Sequence, residues 1–192
     1  MHTRIPAILA SGLVAAAMLP GATASAAALP GARAAADDCR NARVSPAENA
    51  RAAADATLCL LNRERADHGL RPLRANNALA RAARGHSRDM VRRSFFDHTA
   101  PGNVTFIDRI RRARYSPKGS WSVAENIAWG SAEQSQPIHI VESWMKSPGH
   151  RANILNGSFR VIGLGIAPGV PVDAAAARSQ PGGTYTTDFG SR

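Results

Sequence analysis

Three separated positions carry side chains able to do chemistry: His98, Glu125 with Asn126 beside it, and His150. Imidazole titrates near neutrality, so it can take a proton from water or bind a borderline metal ion through a neutral ring nitrogen. A carboxylate beside an imidazole can share such an ion, orient the ring, or form part of a general base. His98 lies in Ser94 to Thr105, where Phe95-Phe96-Asp97-His98-Thr99-Ala100-Pro101-Gly102 reads as a loop. His150 follows the turn formers Ser147-Pro148-Gly149, and Glu125 falls in Val123 to Gly130, a strand or strand–loop junction. Loops held by a rigid scaffold are where binding groups concentrate. Taken singly, each residue also has an ordinary reading, as a surface histidine, an edge carboxylate or a loop brace. No serine or cysteine nucleophile is evident.

Other candidates read as structural. His86 falls on an apolar helical face and reads as a core histidine. Arg65 and Asn62 read as loop braces, Trp129 and Trp144 as core or cleft wall, and His139 as solvated. The run Arg109 to Arg114 reads as a solvated basic face able to meet an anionic surface.

The elements that must position these residues are legible from pattern. Ser45-Pro46-Ala47-Glu48 opens a helix, with serine at the N-cap and proline in the first turn. Its inward residues are Ala54, Leu58 and Leu61, and Gly69 ends it. Asn76 or Asn77 caps a second helix, whose Leu79, Ala83, His86 and Met90 share one face. A third helix is expected over about 104–114, with Phe106 and Ile110 inward and Arg109, Arg111 and Arg112 mostly outward. Pro137 to Met145 makes a fourth, burying Ile138, Val141 and either Trp144 or Met145. Ser147 to His150 reads as a turn, with a helical turn after it. Val161 to Ala167 alternates bulky with small residues, and Thr184 to Gly190 has strong strand propensity. Ala174 to Gly183 between them reads as a flexible hairpin loop.

The chain's first residues suggest export. His2 and Arg4 precede the uncharged, apolar stretch Ile5 to Pro20, and Ala24-Ser25-Ala26 and Ala26-Ala27-Ala28 have the small-x-small form of a cleavage site. The reading is a signal peptide over 1–26, a linker over 27–44 and one domain over 45–192, with a retained membrane anchor as the rival. The apolar run is shorter than the roughly 20 residues a spanning helix needs. The two cysteines, Cys39 and Cys59, read as one disulfide in an exported chain; free thiols or half a metal site are the alternatives. A net charge of +10 favours anionic partners by long-range attraction. Outside the cell these are wall polymers, lipids or acidic polysaccharide. No nucleic-acid motif is present.

Several strings together resemble the CAP superfamily, which takes in cysteine-rich secretory proteins, antigen 5 and pathogenesis-related proteins. They are Trp144-Met145-Lys146-Ser147-Pro148-Gly149-His150-Arg151-Ala152-Asn153-Ile154-Leu155, Phe96-Asp97-His98-Thr99, Ala124-Glu125-Asn126-Ile127-Ala128 and the final Asp188-Phe189-Gly190. Asn62, Arg65, Gly69 and Pro72-Leu73 fit the opening helices. The resemblance runs from about Thr57 to Gly190 and is of the bacterial secreted type. It implies an α+β fold, a three-layer α–β–α sandwich with a small antiparallel sheet. It also implies a cleft lined by His98, Glu125 and His150, with Asn126 beside them. Ser147 stands where eukaryotic relatives carry a second glutamate, which weakens a two-carboxylate mechanism; Glu142 lies on another helical face.

The expected function is that of a secreted, monomeric binding module. Its ligand would be an extracellular small molecule, a lipid or a cell-wall component. No cofactor is required, and His98 and His150 would at most hold a divalent cation such as zinc weakly, since two protein ligands are fewer than zinc sites use. The rivals are a metal-assisted hydrolase using the same three residues and a structural or partner-binding module.

Overall fold

The computed structural model describes residues 39–172 and 179–191. The expected signal peptide and most of the expected linker lie outside the described residues. The described end of that linker, 39–44, is packed: Cys39 and Ala42 are buried, and Cys39 forms a disulfide with Cys59.

The chain runs α1 (Pro46–Asp67), β1 (Arg74–Ala75), α2 (Asn77–Arg93), α3 (Phe106–Arg112), β2 (Val123–Ser131), a 3-10 turn (Ala132–Ser135), α4 (Pro137–Lys146), α5 (Pro148–Ile154), β3 (Val161–Pro168) and β4 (Gly182–Gly190). The sheet order is β1-β3-β4-β2. β2 and β3 flank β4 antiparallel, while the two-residue β1 joins β3 in parallel, a small departure from an all-antiparallel sheet. β3 and β4 are covered on both faces. On one face Leu79 and Ala82 of α2 and Ile110 of α3 form a small core with Tyr115 and Val161. On the other, α1 and α4 pack Leu60, Leu61, Ile140, Val141 and Trp144 against Ile162, Tyr185 and Phe189. The result is the α–β–α sandwich.

Caps set the helix limits. The Ser45 side chain accepts from the amide of Ala47, and the helix is kinked at Asn49, whose side chain caps Ala52. The inward stripe of α1 carries Ala53, Thr57, Leu60 and Leu61 and the wholly buried Arg65, so Ala54 and Leu58 are only half-buried. Asn76 caps α2 through Ala78 and Leu79. α3 is shorter than the basic run suggested, because a Thr105–Asp108 capping box starts it and the positive φ of Arg114 closes it.

Arg65 and Asn62 brace loops. The Arg65 guanidinium donates to the carbonyls of Arg71, Ile154, Asn156 and Phe159. Asn62 exchanges two hydrogen bonds with the backbone of Leu73. The alternation in β3 also has a cause. A Cβ on Gly163 would overlap the backbone of Leu79 and Ala80, and one on Gly165 that of Ala83 and Arg84. The small residues let α2 lie directly on the sheet.

Candidate functional site

Glu125 is the centre of the site. It sits on β2 with its side chain 1% exposed. Its Oε1 accepts from His98 Nδ1 at 2.8 Å, and its Oε2 accepts from Arg109 Nη2 at 2.6 Å. Burial disfavours the charged carboxylate. The hydrogen bond from His98 and the Arg109 charge outweigh burial and hold the Glu125 carboxyl below its usual range. An ionised carboxylate only accepts, so the His98 proton sits on Nδ1 and the Nε2 lone pair is left free. The His98 ring is about half exposed.

The loop that offers His98 is held from below. His86 on α2 is 1% exposed, and its Nε2 donates to the carbonyl of Asp97 at 2.9 Å. Burial lowers the pKa of His86, which favours the neutral ring. Asp97 Oδ1 accepts from the Thr99 amide, and Ala100 and Val104 pair across a turn with positive φ at Gly102 and Asn103. Phe96, two residues before His98, is an exposed large apolar side chain.

His150 lies in the first turn of α5 rather than in a free turn. Proline in the first helical position needs no amide partner, so Ser-Pro-Gly starts a helix here. The half-buried ring leans on Trp144 at 6.5 Å between centroids. Burial first, and the charge on His98 second, lower the His150 pKa. Asn126 is wholly buried: its Nδ2 donates to the His150 carbonyl at 3.1 Å and its Oδ1 accepts from Asn153 at 2.8 Å. It acts as a strut behind His150 and offers no free group to a cleft. Ser147 is half-buried at the N-cap of α5, and its hydroxyl does not cap the helix. Glu142 is exposed, 3.7 Å from His139.

Arg109 corrects the expected outward face of the basic run. Its side chain is 10% exposed, donates to the Val104 carbonyl as well as to Glu125, and leaves Nε without a partner. Asp188 is a second residue that sequence patterning missed. It is the register partner of Glu125 on β4, so both side chains share a face of the sheet. Asp188 is 1% exposed, and neither carboxyl oxygen accepts a hydrogen bond from a neighbouring N–H or hydroxyl donor. Burial and the neighbouring Glu125 charge push its pKa well above the ordinary range. The site therefore has a second carboxyl, contributed by β4, with the neutral acid favoured.

The donor set limits what metal could be held. Both Glu125 oxygens are engaged, and no group of three or more His, Cys, Asp or Glu side chains able to hold a metal occurs among the described residues.

Residues 58–172 match the cysteine-rich secretory protein family, the CAP family. The chain belongs to the CAP family. Among relatives of this CAP domain, it is 37% identical over 125 residues to the Bacillus subtilis "Uncharacterized protein YkwD", covering 65% of this chain and 46% of the relative. It is 31% identical over 109 residues to the B. subtilis "Uncharacterized membrane protein YlbC", covering 57% and 30%. The chain thus spans less than half the length of these relatives. Among solved structures, an extracellular SCP-domain protein from Bacillus anthracis superposes with a TM-score of 0.56 at 29% identity, over 71% of this chain and 39% of that one. An outer surface protein of Borrelia burgdorferi shares the fold, with a TM-score of 0.51 at 20% identity over 69% and 86%. No helix among the described residues is long and apolar enough to cross a membrane.

Proposed function

We propose that this CAP domain is an extracellular binding module whose recognition site is the imidazole pair His98 and His150. One observation carries the reading: the buried Glu125 carboxylate, neutralised by Arg109, fixes the tautomer of a half-exposed His98. Placing a buried ion pair behind an exposed ring preorganises that ring, and preorganisation lowers the ordering cost of binding. The free Nε2 can accept from a ligand hydroxyl or amide, or bind a divalent ion. Phe96 adds an exposed apolar surface near His98 in sequence, which suits a ligand with both polar and apolar parts. A lipid or wall-derived fragment has that character. The Bacillus anthracis relative is described as extracellular, and the apolar start of this chain supports the same address.

Zinc is the simplest probe of the imidazole pair. Titration calorimetry should give weak binding to the wild type at neutral pH and none to the His98→Ala, His150→Ala double variant. Ser147→Ala should bind like the wild type. Binding should disappear on acidification, because an imidazole must be neutral to ligate, and the lowered pKa of His150 moves its share of that loss to more acidic pH. Unchanged binding in the double variant would overturn the site. The Glu125–His98 contact also supports a second reading, a general base acting on water in a hydrolase. Turnover of a peptide or ester substrate, lost in His98→Ala, separates that reading from a binder.

A further inference from the structure

Residues of α2, of α3 and of the loop between them line a cavity of about 300 Å³ beside Arg109. Its lining includes His86, Asp89, Arg92, Arg93, Arg109 and Arg112. A second cavity of about 360 Å³ continues along the same two helices, sharing Gly85, Arg109 and Arg112 and reaching Arg81. Four arginines and one carboxylate, Asp89, line the first cavity, and Arg109 is already paired with Glu125. Asp89 holds Arg92 and Arg93 on its rim, at 2.5 and 3.2 Å. It cannot neutralise both, and it leaves Arg112 untouched. Arg109 spends Nη2 on Glu125 and Nη1 on Val104, yet its buried Nε has no partner.

We infer that the groove between α2 and α3 binds phosphate groups, free or as phosphate esters of a polymer, through Arg92, Arg93, Arg109 and Arg112. A carboxylate presents two oxygens, which a single guanidinium fork can fill. Several forks around one cavity match an anion with oxygens on more than one side. The groove also extends: Arg81 and Arg92 are eleven residues apart on α2, about 16 Å at the helical rise. That length accommodates more than one phosphate of a chain. The small residues Ala82, Gly85 and Ala113 line the second cavity together with Arg81, Arg109 and Arg112.

The test titrates the full chain with inorganic phosphate, with a short poly(glycerol phosphate), and with acetate. The wild type should bind both phosphate probes and bind acetate far more weakly. Arg112→Gln should weaken phosphate affinity about tenfold, the loss of one charge-assisted contact. Arg51→Gln, which removes an exposed charge paired with Asp55 on α1, should bind like the wild type. Perturbation of the His86 ring signals on adding phosphate, absent in Arg112→Gln, places the ligand in this cavity without relying on affinity alone. A polymer that binds tighter than phosphate at equal phosphate concentration identifies a wall-type polyanion as the source, and equal binding identifies free phosphate. The His98→Ala, His150→Ala variant should retain phosphate binding, so this site stands or falls separately from the imidazole pair. Absence of phosphate binding, equal losses in Arg51→Gln and Arg112→Gln, or equally tight acetate binding would each overturn it.

Discussion

Glu125 and Asp188 face each other across neighbouring strands, and one buried guanidinium stands beside them. A single positive charge cannot stabilise two buried carboxylates at this spacing, so their affinities for protons separate. Arg109 and His98 favour the Glu125 anion, and Asp188 keeps its proton. A neutral Asp188 can donate to Glu125, whereas an ionised one would repel it. The linkage has opposite signs at the two positions. Asp188 has a raised folded pKa, so its native form holds a proton that the unfolded chain releases above about pH 4; it costs stability as the pH rises through that window. Asp188→Asn should therefore be more stable than the wild type at neutral pH and should flatten the acid-side stability profile in urea denaturation. Lower stability of this variant at neutral pH would contradict a protonated Asp188. Glu125 has a depressed folded pKa, so its contribution is present above about pH 4.3 and is lost as the pH falls through the folded value. Glu125→Gln leaves Arg109 buried without a counter-charge. The cost should be about 3 kcal/mol at neutral pH, read from the urea midpoint.

At the scale of elements, the sheet and α2 are locked by an absence of side chains. Gly163 and Gly165 face α2 at positions where a Cβ has no space against the helix backbone. Gly163→Ala should push α2 off β3 and cost about 3 kcal/mol or more, measured by thermal or urea unfolding. Because His86 on α2 holds the Asp97 carbonyl, the same variant should also broaden the NMR signals of the His98 ring. This reach from glycine to site shows what can be read in the sequence. The bulky–small alternation of β3 and the apolar face of α2 are visible as patterns, and so are the caps at Ser45 and Asn76. The motif strings lead to His98, Glu125 and His150. Arg109 is not visible, because three arginines in four positions look like a solvated face and nothing local shows that α3 turns one of them inward. Asp188 is hidden for a different reason: its partner is set by strand register across more than sixty residues, and register is not encoded in either strand alone. His150 is legible as a candidate site residue but not as a helical one, since Ser-Pro-Gly begins a helix or a turn with the same residues.

Across the whole molecule, residues 39–44 join the main core from outside its helices and strands. Residues 39–44 contain no strand or helix, and they hold their place through the Cys39–Cys59 disulfide, the buried Ala42 and the Ala42 carbonyl, which accepts from the Ile138 amide at the start of α4. The cross-link closes a loop with a sequence separation of 20 residues. In the chain-entropy account such a loop stabilises the fold by about 3 kcal/mol, by restricting the unfolded chain. A Cys39→Ser, Cys59→Ser variant should lose that amount in urea denaturation and become protease-sensitive first within 39–44. The contacts that hold the site run elsewhere: Glu125 to Arg109 and His98, His86 to the Asp97 carbonyl, and Asn126 to His150. At temperatures where the variant remains folded, its zinc affinity should therefore equal that of the wild type. A parallel loss of zinc binding would mean that 39–44 supports the imidazole pair through α4 and α5, and that the site and the segment before the first helix form one cooperative unit.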